Sequence, residues 1–466
     1  MTADQPLWQY SAAALHAAYV NGTATPVQAL HSCLERITQV QPLLNAFVAL
    51  RAEQALHEAH ASALRYQQGT PLSVLDGVPV SIKDNLLTHD MPTTWGSAGL
   101  AGYQPAQEEL AVTRLRQAGA LIVGKTNVPE FTLEGYTDNP VFGPTRNPWN
   151  TALTPGGSGG GAAASVAAGC TPLALGTDGG GSIRRPAAHC GLVGLKPTIG
   201  TVARVHGLPS VLLDFEVVGL MGRTAQDVQR LLDVVQGPDA QDPASWAACA
   251  QRQHHSAAAA TPLRLLYVPT LEGAPVDPAI ATACASAAQQ LGSTMTTAAL
   301  PLDLSAINAG WPQVGQMGLA HLFAQQPDWA RHASAKYRDM AAQGAQLSAS
   351  FLWGLQEKVQ QLRRDCATLF ADWDVLAMPC TAAQPWPAQQ AYPPEIDGQR
   401  VGPRGHAAMT GWVNAAGLPA LSVPIAPDTH GLPIGLQLVA GPGNEALLLQ
   451  LAAQLQARHT QRWPTL

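Results

Sequence analysis

A run of very small side chains fills residues 156–169, where the sequence reads GGSGGGAAASVAAG. Such a run forms either a flexible linker or a helix whose backbone lies very close to its neighbours. Linkers seldom have an alanine-rich centre or lie between two apolar, strand-like segments. The run therefore predicts a helix from near Gly160 to near Gly169 that packs closely against other backbone.

Short apolar runs bounded by turn residues alternate with helical stretches on both sides of this segment. Four such runs lie between residues 73 and 198, and PLRLLYVP, DWDVLAMP, LPALSVPIAP and LPIGLQLVAG follow in the second half. The alternation predicts an α/β fold, a single α/β/α layered domain whose central, mostly parallel mixed sheet is covered by helices on both faces. Because strand-like runs occur near both ends, we expect one sheet with an inserted middle.

Changes in sequence texture divide this single domain, 1–466, into four parts. Residues 1–70 are expected to form N-terminal helices, and residues 71–235 a core that carries the glycine-rich segments. Residues 236–370 are expected to form a variable and mainly helical region on the substrate side. Residues 371–466 are expected to form a C-terminal sheet and helix that return to the core. In the first part, Thr25 followed by Pro26 is typical of a helix N-terminus. In the third, the polar and alanine-rich stretch 239–262 is expected to be a surface connection.

The composition points to a small-molecule partner. Charged residues make up only 12% of the chain, the net charge is −6, and no basic block is present, which excludes the charge pattern of a nucleic-acid binder. No apolar run approaches the ~20 residues that span a bilayer, and the N-terminus lacks a basic start, so we expect a cytoplasmic protein. The seven cysteines are scattered without metal-like spacing and are expected to be buried thiols. We expect a monomer or homodimer without metal or cofactor.

The segment TDGGGSIRRP, residues 177–186, places three glycines directly before Ser182. Gly179, Gly180 and Gly181 leave the backbone free to turn several N–H groups toward one point, where they can hold a negative oxygen. One such donor typically contributes ~3 to 4 kcal/mol to the transition state of acyl transfer. The segment therefore predicts an oxyanion-binding loop with Ser182 as the nucleophile, and a tight turn with a serine cap is the structural alternative.

A nucleophilic serine needs a base, and the lysines are candidates because only five of the 26 basic residues are lysine. Lysine can lose its proton when its pKa is depressed, whereas arginine cannot. Lys83 ends the strand-like GVPVSIK and Lys125 ends ALIVGK, so both are expected at buried strand ends. Spacing alone does not separate them, and an ion pair between Lys83 and Asp84 is a further alternative.

Five motifs follow one another along the chain: SIKDN (81–85), TPGGSGGGAAASVAAG (154–169), GTDGGGSIRRPAAHCGLVGLKPT (176–198), GLPALSVP and GLPIGLQLVAG. Together they resemble the amidase signature family, over residues 70–225 and from residue 370 onward. The resemblance implies an amidase, a hydrolase that cleaves the C–N bonds of small neutral amides and, by the same chemistry, anilides, esters and carbamates.

The resemblance also implies a set of catalytic residues. Ser182 corresponds to the nucleophile, Ser158 to a bridging serine that follows a cis peptide, and Lys83 to the base. The N–H groups of residues 179–182 would hold the oxyanion while an acyl-enzyme forms and is then hydrolysed by water.

Two positions depart from the family pattern. Gly159 follows Ser158 where a second serine is usual, and Gly179 stands where a larger side chain is common. Both changes are expected to enlarge the space beside the nucleophile, and Gly179 in particular would make room for a bulky acyl group.

Two alternatives use the same glycine-rich stretch in a different way. GGSGG fits a nucleophile elbow with Ser158 as the nucleophile and a histidine as base, and residues 157–162 fit a relaxed dinucleotide fingerprint of an oxidoreductase. Both motifs require a strand directly before them. Pro148 and Pro155 disfavour such a strand.

A third alternative stays inside the family, as the glutamine-hydrolysing subunit of a tRNA-dependent amidotransferase. The resemblance implies that such subunits carry an aspartate a few residues before the asparagine of the C-terminal motif. This chain has Ala407, Ala408 and Met409 ahead of Asn414. An acidic partner for the ammonium group of glutamine is therefore missing, and a stand-alone amidase is favoured.

The variable region contains aromatic and sulfur-containing residues that can form one wall of the substrate site: Trp311, Met317, His321, Phe323 and Trp329. Such a wall would suit an apolar or aryl group. Ordinary helix packing is an equally good interpretation of the same residues.

Overall fold

The computed structural model describes residues 5–254, 262–291, 294–458 and 462–466. These residues form thirteen strands: β1 (Phe47–Leu50), β2 (Pro79–Lys83), β3 (Leu121–Thr126), β4 (Leu173–Asp178), β5 (Val193–Lys196), β6 (Val217–Gly222), β7 (Arg264–Tyr267), β8 (Thr294–Thr297), β9 (Val375–Pro379), β10 (Glu395–Ile396), β11 (Gln399–Arg400), β12 (Ala420–Pro424) and β13 (Gly435–Ala440). All except the β10–β11 pair join one sheet of eleven strands, in the order β1-β3-β2-β4-β6-β5-β12-β13-β9-β7-β8.

Helices surround this sheet. The described part of the chain contains fifteen α-helices: α1 (Ala12–Val20), α2 (Pro26–Leu44), α3 (Ala52–Gln67), α4 (Leu110–Gln117), α5 (Gly160–Ala167), α6 (Arg184–Cys190), α7 (Ala225–Val235), α8 (Pro243–His254), α9 (Pro278–Gln289), α10 (Ser305–Gln325), α11 (Pro327–His332), α12 (Ala335–Gly344), α13 (Ala349–Asp372), α14 (Gly411–Ala415) and α15 (Glu445–Gln456). The predicted cap of α2 is present, because Thr25 Oγ1 accepts a hydrogen bond from Gln28 N at 3.2 Å.

The predicted single α/β domain with a mixed sheet is confirmed, and β5 and β12 from the two ends of the chain are neighbours in that sheet. Parallel pairs occur where helices connect the strands, in the groups β3-β2-β4 and β9-β7-β8. The other six pairs are antiparallel. Parallel pairing is thus less extensive than the sequence predicted, because loops without α-helix join β5 to β6 and β12 to β13.

All eight strand-like runs contain a strand in the structure, namely β2, β3, β4, β5, β7, β9, β12 and β13. Strands β1, β6 and β8 and the short β10–β11 pair were not predicted. Strand β8 reads TMTT and has no buried residue, so its sequence has no apolar pattern that predicts a strand. It is identified in the structure by its pairing with β7. The stretch 239–262 contains α8, while its residues 255–261 lie outside the described part.

Successive side chains of a strand point to opposite faces, and both faces of the sheet are packed. In β4, Leu173 and Leu175 join a core that includes residues of α7 and α15. Ala174 between them joins a second core formed with α5 and α6. No helix in the described ranges is long and apolar enough to cross a membrane. All seven cysteines are free thiols, and six of them are buried.

Helix α5 is the close-packed helix that the small residues predict. All eight of its residues are buried, and Ser165 Oγ lies 3.0 Å from Ser81 Oγ on β2. A Cβ atom added at Gly161 would lie 2.4 Å from the backbone nitrogen of Asn127. Glycine at this position therefore allows α5 to lie directly on the chain that follows β3.

This packing predicts opposite effects for two glycine-to-alanine substitutions. Gly161→Ala should lower the free energy of unfolding, since overpacking costs about 1 to 3 kcal/mol and the clash is with rigid backbone. Gly354→Ala in α13, where an added Cβ meets nothing within 4 Å, should instead raise it by up to about 1 kcal/mol through helix propensity. Denaturant unfolding of both variants measures the difference, and stabilisation by both would contradict the close packing of α5.

Candidate active site

The predicted catalytic residues come together at the carboxyl ends of two neighbouring strands inside the sheet. Strands β2 and β4 are parallel neighbours, so Lys83 at the end of β2 lies beside the end of β4. The loop after β4 carries Ser182 into α6, and Ser158 directly precedes the N-terminus of α5. In open α/β sheets, sites form at the carboxyl ends of strands, as they do here.

Lys83 is fully buried and is held by hydroxyl and carbonyl oxygens. Its Nζ donates to Ser158 Oγ at 2.9 Å, to Thr177 Oγ1 at 2.9 Å and to Thr177 O at 3.1 Å. Asn85 Nδ2 donates to Thr177 Oγ1 at 2.9 Å and so fixes that hydroxyl. No carboxylate of the described residues forms an ion pair with Lys83. Thr177 was not predicted to be a residue of the site, although it lies next to the glycine loop in the segment TDGGGSIRRP.

Burial lowers the pKa of Lys83 to about 8. The negative charges of Glu216 and Asp178 oppose this change, whereas the positive charges of Arg204 and Arg185 add to it. A lysine with this pKa is neutral in a substantial fraction of molecules near neutral pH, as a proton acceptor must be.

Lys125 has a structural environment instead. Its Nζ lies 3.2 Å from Asp84 Oδ1 and donates to Leu86 O at 2.8 Å and Thr93 Oγ1 at 2.7 Å. The alternative of an ion pair between Lys83 and Asp84 is therefore wrong, because Asp84 faces Lys125. The geometry separates the two lysines that spacing left open.

The segments that carry the two serines are in direct contact. The peptide between Gly157 and Ser158 is cis, as the resemblance implied. The N–H of Gly159 donates to the carbonyl oxygen of Ser182 at 3.1 Å. Ser182 is 7% exposed, and its hydroxyl makes no hydrogen bond to the described part of the chain. The hydroxyl of Ser182 is thus available to a substrate.

The oxyanion loop differs from the prediction at Gly181. The N–H of Gly181 donates to Asp178 Oδ1 at 2.6 Å, and the N–H of Ile183 donates to Asp178 Oδ2 at 3.1 Å. The N–H of Gly181 is therefore occupied and cannot hold an oxyanion. The N–H groups of Gly179, Gly180 and Ser182 have no acceptor among the described residues and remain available. Gly181 contributes by its conformation, since its φ of +115° is one that other residues rarely adopt.

The expectation that Gly159 and Gly179 open space beside the nucleophile is wrong. A Cβ atom added at Gly179 would lie 2.6 Å from Leu212 Cδ1, and one added at Gly159 would lie 2.6 Å from Ser182 O. Neighbouring atoms already fill the volume that the missing side chains leave. Both glycines therefore permit close packing and do not make room for an acyl group.

A buried polar network holds the loop from behind. Asp178 forms an ion pair with Arg184, with Oδ1 and Nη2 2.9 Å apart and both side chains fully buried. Asn414 Nδ2 donates to the carbonyl oxygen of Asp178 at 2.8 Å, and Arg184 Nη1 donates to Gln437 Oε1 at 2.7 Å. Thr410 Oγ1 donates to Gly180 O at 2.8 Å.

The contacts of Thr410, Asn414 and Gln437 with the loop and its ion pair were not predicted from the sequence. The available signal was a polar side chain inside an otherwise apolar motif, for example Gln437 in GLQLVAG. Burial alone would raise the pKa of the Asp178 carboxyl, but the charge and hydrogen bonds of Arg184 hold it well below its usual range. The carboxylate is thus a permanent anion that fixes the loop.

Of the proposed substrate wall, Trp311 lies against the glycine loop 179–181. A Cβ atom added at Gly180 would lie 2.9 Å from its ring. Phe323 packs against Phe131 in the core, Trp329 packs against Tyr103, and His321 is exposed. Met317 is half-buried on the same helix, α10. Helix packing is therefore the correct interpretation for Phe323 and Trp329.

The two motif-based alternatives lack the structural context they need. Among the described elements, no strand lies between β3 and α5, so Ser158 does not follow a strand. Its hydroxyl contacts Lys83, and no histidine of the described chain bonds to it. A nucleophile elbow or a dinucleotide-binding turn at this position is therefore excluded.

Comparisons with known proteins agree with this geometry. The sequence profile of the Amidase family matches residues 28–449. A glutamyl-tRNA(Gln) amidotransferase subunit from Symbiobacterium thermophilum is 34% identical over 488 aligned positions, which cover 98% of each chain.

Two solved structures are similar over nearly the whole chain. A 6-aminohexanoate cyclic dimer hydrolase in complex with its substrate has a TM-score of 0.85 and 28% identity and covers 99% of both chains. A bacterial aryl acylamidase of the amidase signature family has a TM-score of 0.86 and 27% identity and covers 97% of both. The family profile matches most of this chain, and the site lies at the ends of β2 and β4. The chain therefore belongs to the amidase signature family of amidohydrolases.

Proposed function

We propose that this protein hydrolyses the C–N bond of a small linear amide through an acyl-enzyme on Ser182, with Ser158 and Lys83 as the proton relay. The observation that carries the proposal is the 2.9 Å hydrogen bond from Lys83 Nζ to Ser158 Oγ beside an almost buried Ser182. Membership of a family of amidohydrolases supports the same reaction.

In the first half of the proposed reaction, neutral Lys83 accepts the proton of Ser158, and Ser158 accepts that of Ser182. Ser182 Oγ forms a bond to the carbonyl carbon of the amide, and the carbonyl electron pair moves onto oxygen. The free N–H groups of Gly179, Gly180 and Ser182 stabilise this oxyanion. The hydroxyls of Ser158 and Ser182 are not hydrogen-bonded to each other in the structure, so Ser182 must turn toward Ser158 as substrate binds.

In the second half, the tetrahedral species collapses and the C–N bond breaks. The leaving amine takes the proton back along the same relay, and an ester between the acyl group and Ser182 remains. Water then loses a proton to the relay and attacks this ester, which releases the acid and restores Ser182.

Two substrate classes are compatible with this reaction. The first is a small amide, anilide, ester or carbamate hydrolysed by this chain alone, and the similarity to a 6-aminohexanoate cyclic dimer hydrolase and to an aryl acylamidase supports it. The second is glutamine, with the chain as one component of a tRNA-dependent amidotransferase. Similarity over the whole chain supports the second class better, because a relative of that kind is 34% identical over 98% of each chain. Ala407, Ala408 and Met409 support the first, because they stand ahead of Asn414 where the resemblance implies an aspartate in such proteins.

Three matched compounds separate these classes. Glutaramate is glutamine without its ammonium group, and glutaramide also has a second carboxamide in place of the carboxylate. We expect the purified chain to release ammonia from glutaramate faster than from glutamine, because Ala407, Ala408 and Met409 offer no acidic partner for the ammonium group. Hydroxylamine should divert the acyl group into a hydroxamate if an ester on Ser182 forms. Preference for glutamine would establish the amidotransferase alternative, and turnover by Ser182→Ala equal to that of the wild type would refute the acyl-enzyme.

Replacing each buried lysine by methionine tests the assignment of the base. Lys83→Met should lower kcat by about 100-fold or more while unfolding changes little, because Lys83 has no carboxylate partner. Lys125→Met should lower the free energy of unfolding by about 3 to 5 kcal/mol, since Asp84 remains buried and unpaired, while the folded fraction keeps its kcat. Steady-state kinetics and denaturant unfolding measure both effects. Near-normal kcat in Lys83→Met would assign the base elsewhere.

The pH dependence of kcat/KM is a further test. Lys83 must be neutral to act, so kcat/KM should rise by about tenfold per pH unit below its pKa and level off above a midpoint of about 8. The profile of the residual activity of Lys83→Met should lack this midpoint. If the same rise persists in that variant, the titrating group lies elsewhere, and Lys196, whose pKa burial lowers to about 7, is the first candidate.

A further inference from the structure

Arg185 is a buried cation next to the glycine loop 179–181, and no carboxylate in the described part of the chain forms an ion pair with it. It follows Ser182 by three positions at the start of α6 and is 8% exposed. Its Nη2 donates to the carbonyl oxygen of Gly157 at 3.3 Å, which places the guanidinium beside the cis peptide of Ser158. Its Nε is buried and has no hydrogen-bond partner among the residues that the structure describes. Part of this guanidinium is therefore unsatisfied at the site.

Arg404 is a second cation at the same place. Its guanidinium carbon lies 4.9 Å from the centre of the Trp311 ring, the ring that lies against Gly180. On the described part of the chain, the Arg404 guanidinium forms no hydrogen bond and no ion pair. Phe215 stacks on Trp311 with ring centres 5.6 Å apart and so holds the platform under Arg404.

The nearby acidic groups have other partners. Asp178 pairs with Arg184, and Glu134 contacts Lys336 and the hydroxyl of Tyr337. The two histidines closest to the pair, His189 and His406, have their pKa values lowered by burial and the neighbouring arginines, so they are neutral near pH 7. The charges of Asp178 and Glu134 oppose the lowering of the Arg185 pKa, but among the described residues no carboxylate pairs directly with Arg185 or Arg404.

Burying the guanidinium groups of Arg185 and Arg404 close together costs free energy unless an anion binds to them. Burial lowers the pKa of Arg185 to about 10, and burial together with the charge of Arg185 lowers that of Arg404 to about 9. Arg204, by contrast, contacts two carboxylates, those of Glu109 at 2.8 Å and Glu216 at 2.7 Å. Guanidinium groups match the geometry of a carboxylate, which would satisfy their free N–H groups and neutralise their repulsion.

We propose that Arg185 and Arg404 together bind a carboxylate of the substrate, so that this enzyme selects short amides that carry a negative charge. The inference rests on the proposed amide hydrolysis by Ser182 and narrows it. It also revises the expectation of neutral amides, since a neutral substrate would leave both cations unpaired beside the reacting carbonyl.

Paired substrates test the proposal without changing the reacting bond. Succinamate and glutaramate are compared with the neutral diamides succinamide and glutaramide. The wild type should show a kcat/KM about 10- to 100-fold higher for the carboxylates, the range expected for charge-assisted hydrogen bonds. Arg185→Gln and Arg404→Gln should raise KM for the carboxylates by a similar factor and change the hydrolysis of the diamides much less. Arg400→Gln, at an exposed arginine of β11, is the matched control and should leave the preference intact.

A binding measurement keeps the test independent of catalysis. Calorimetry with glutarate on the Ser182→Ala background should show binding that Arg185→Gln or Arg404→Gln abolishes and Arg400→Gln retains, with circular dichroism to verify folding. Equal or better turnover of the diamides by the wild type would overturn the carboxylate site while amide hydrolysis stands. Failure to hydrolyse any amide would instead count against the proposed function, and glutarate binding would then still report on the two arginines.

Discussion

The ion pair between Asp178 and Arg184 is the interaction on which the rest of the site depends. A glycine-rich loop cannot hold several N–H groups in one direction by itself, because glycine has the greatest conformational freedom. Asp178 fixes the loop from inside by accepting the N–H groups of Gly181 and Ile183. Removing one partner of a buried pair typically costs about 3 to 5 kcal/mol, since the other charge stays uncompensated. The ion pair thus holds the loop in the conformation in which its other N–H groups are free to bind an acceptor.

Much of the fold and of the site follows from local sequence. The small residues of α5, the apolar runs and the cap at Thr25 predict elements that the structure contains, because each depends on neighbours in the chain. The choice between Lys83 and Lys125 did not follow from spacing, since both lysines end neighbouring parallel strands. Their surroundings separate them: Asp84, although next to Lys83 in sequence, points toward Lys125. At the level of sequence, only the family resemblance favoured Lys83 over Lys125.

The features that the sequence did not predict depend on residues far apart in the chain. Gly179 suggested open space, but Leu212 from a later loop fills it. No local pattern singles out Arg185 and Arg404, because they become neighbours only when α6 and the segment before α14 come together around Trp311. Isolated glycines and arginines have no local pattern that identifies the side chains packed against them.

The position of β12 and β13 in the middle of the sheet has a consequence for the order in which the protein becomes active. During synthesis, Lys83, Ser158 and Ser182 leave the ribosome well before Asn414 and Gln437, whose side chains bind Asp178 and Arg184. Strand β5 likewise gains β12 as its neighbour only late. A nascent chain that ends before these strands thus contains the proposed catalytic residues without the side chains that hold Asp178 and Arg184. The ordered conformation of the glycine loop therefore requires the last part of the chain to be synthesised.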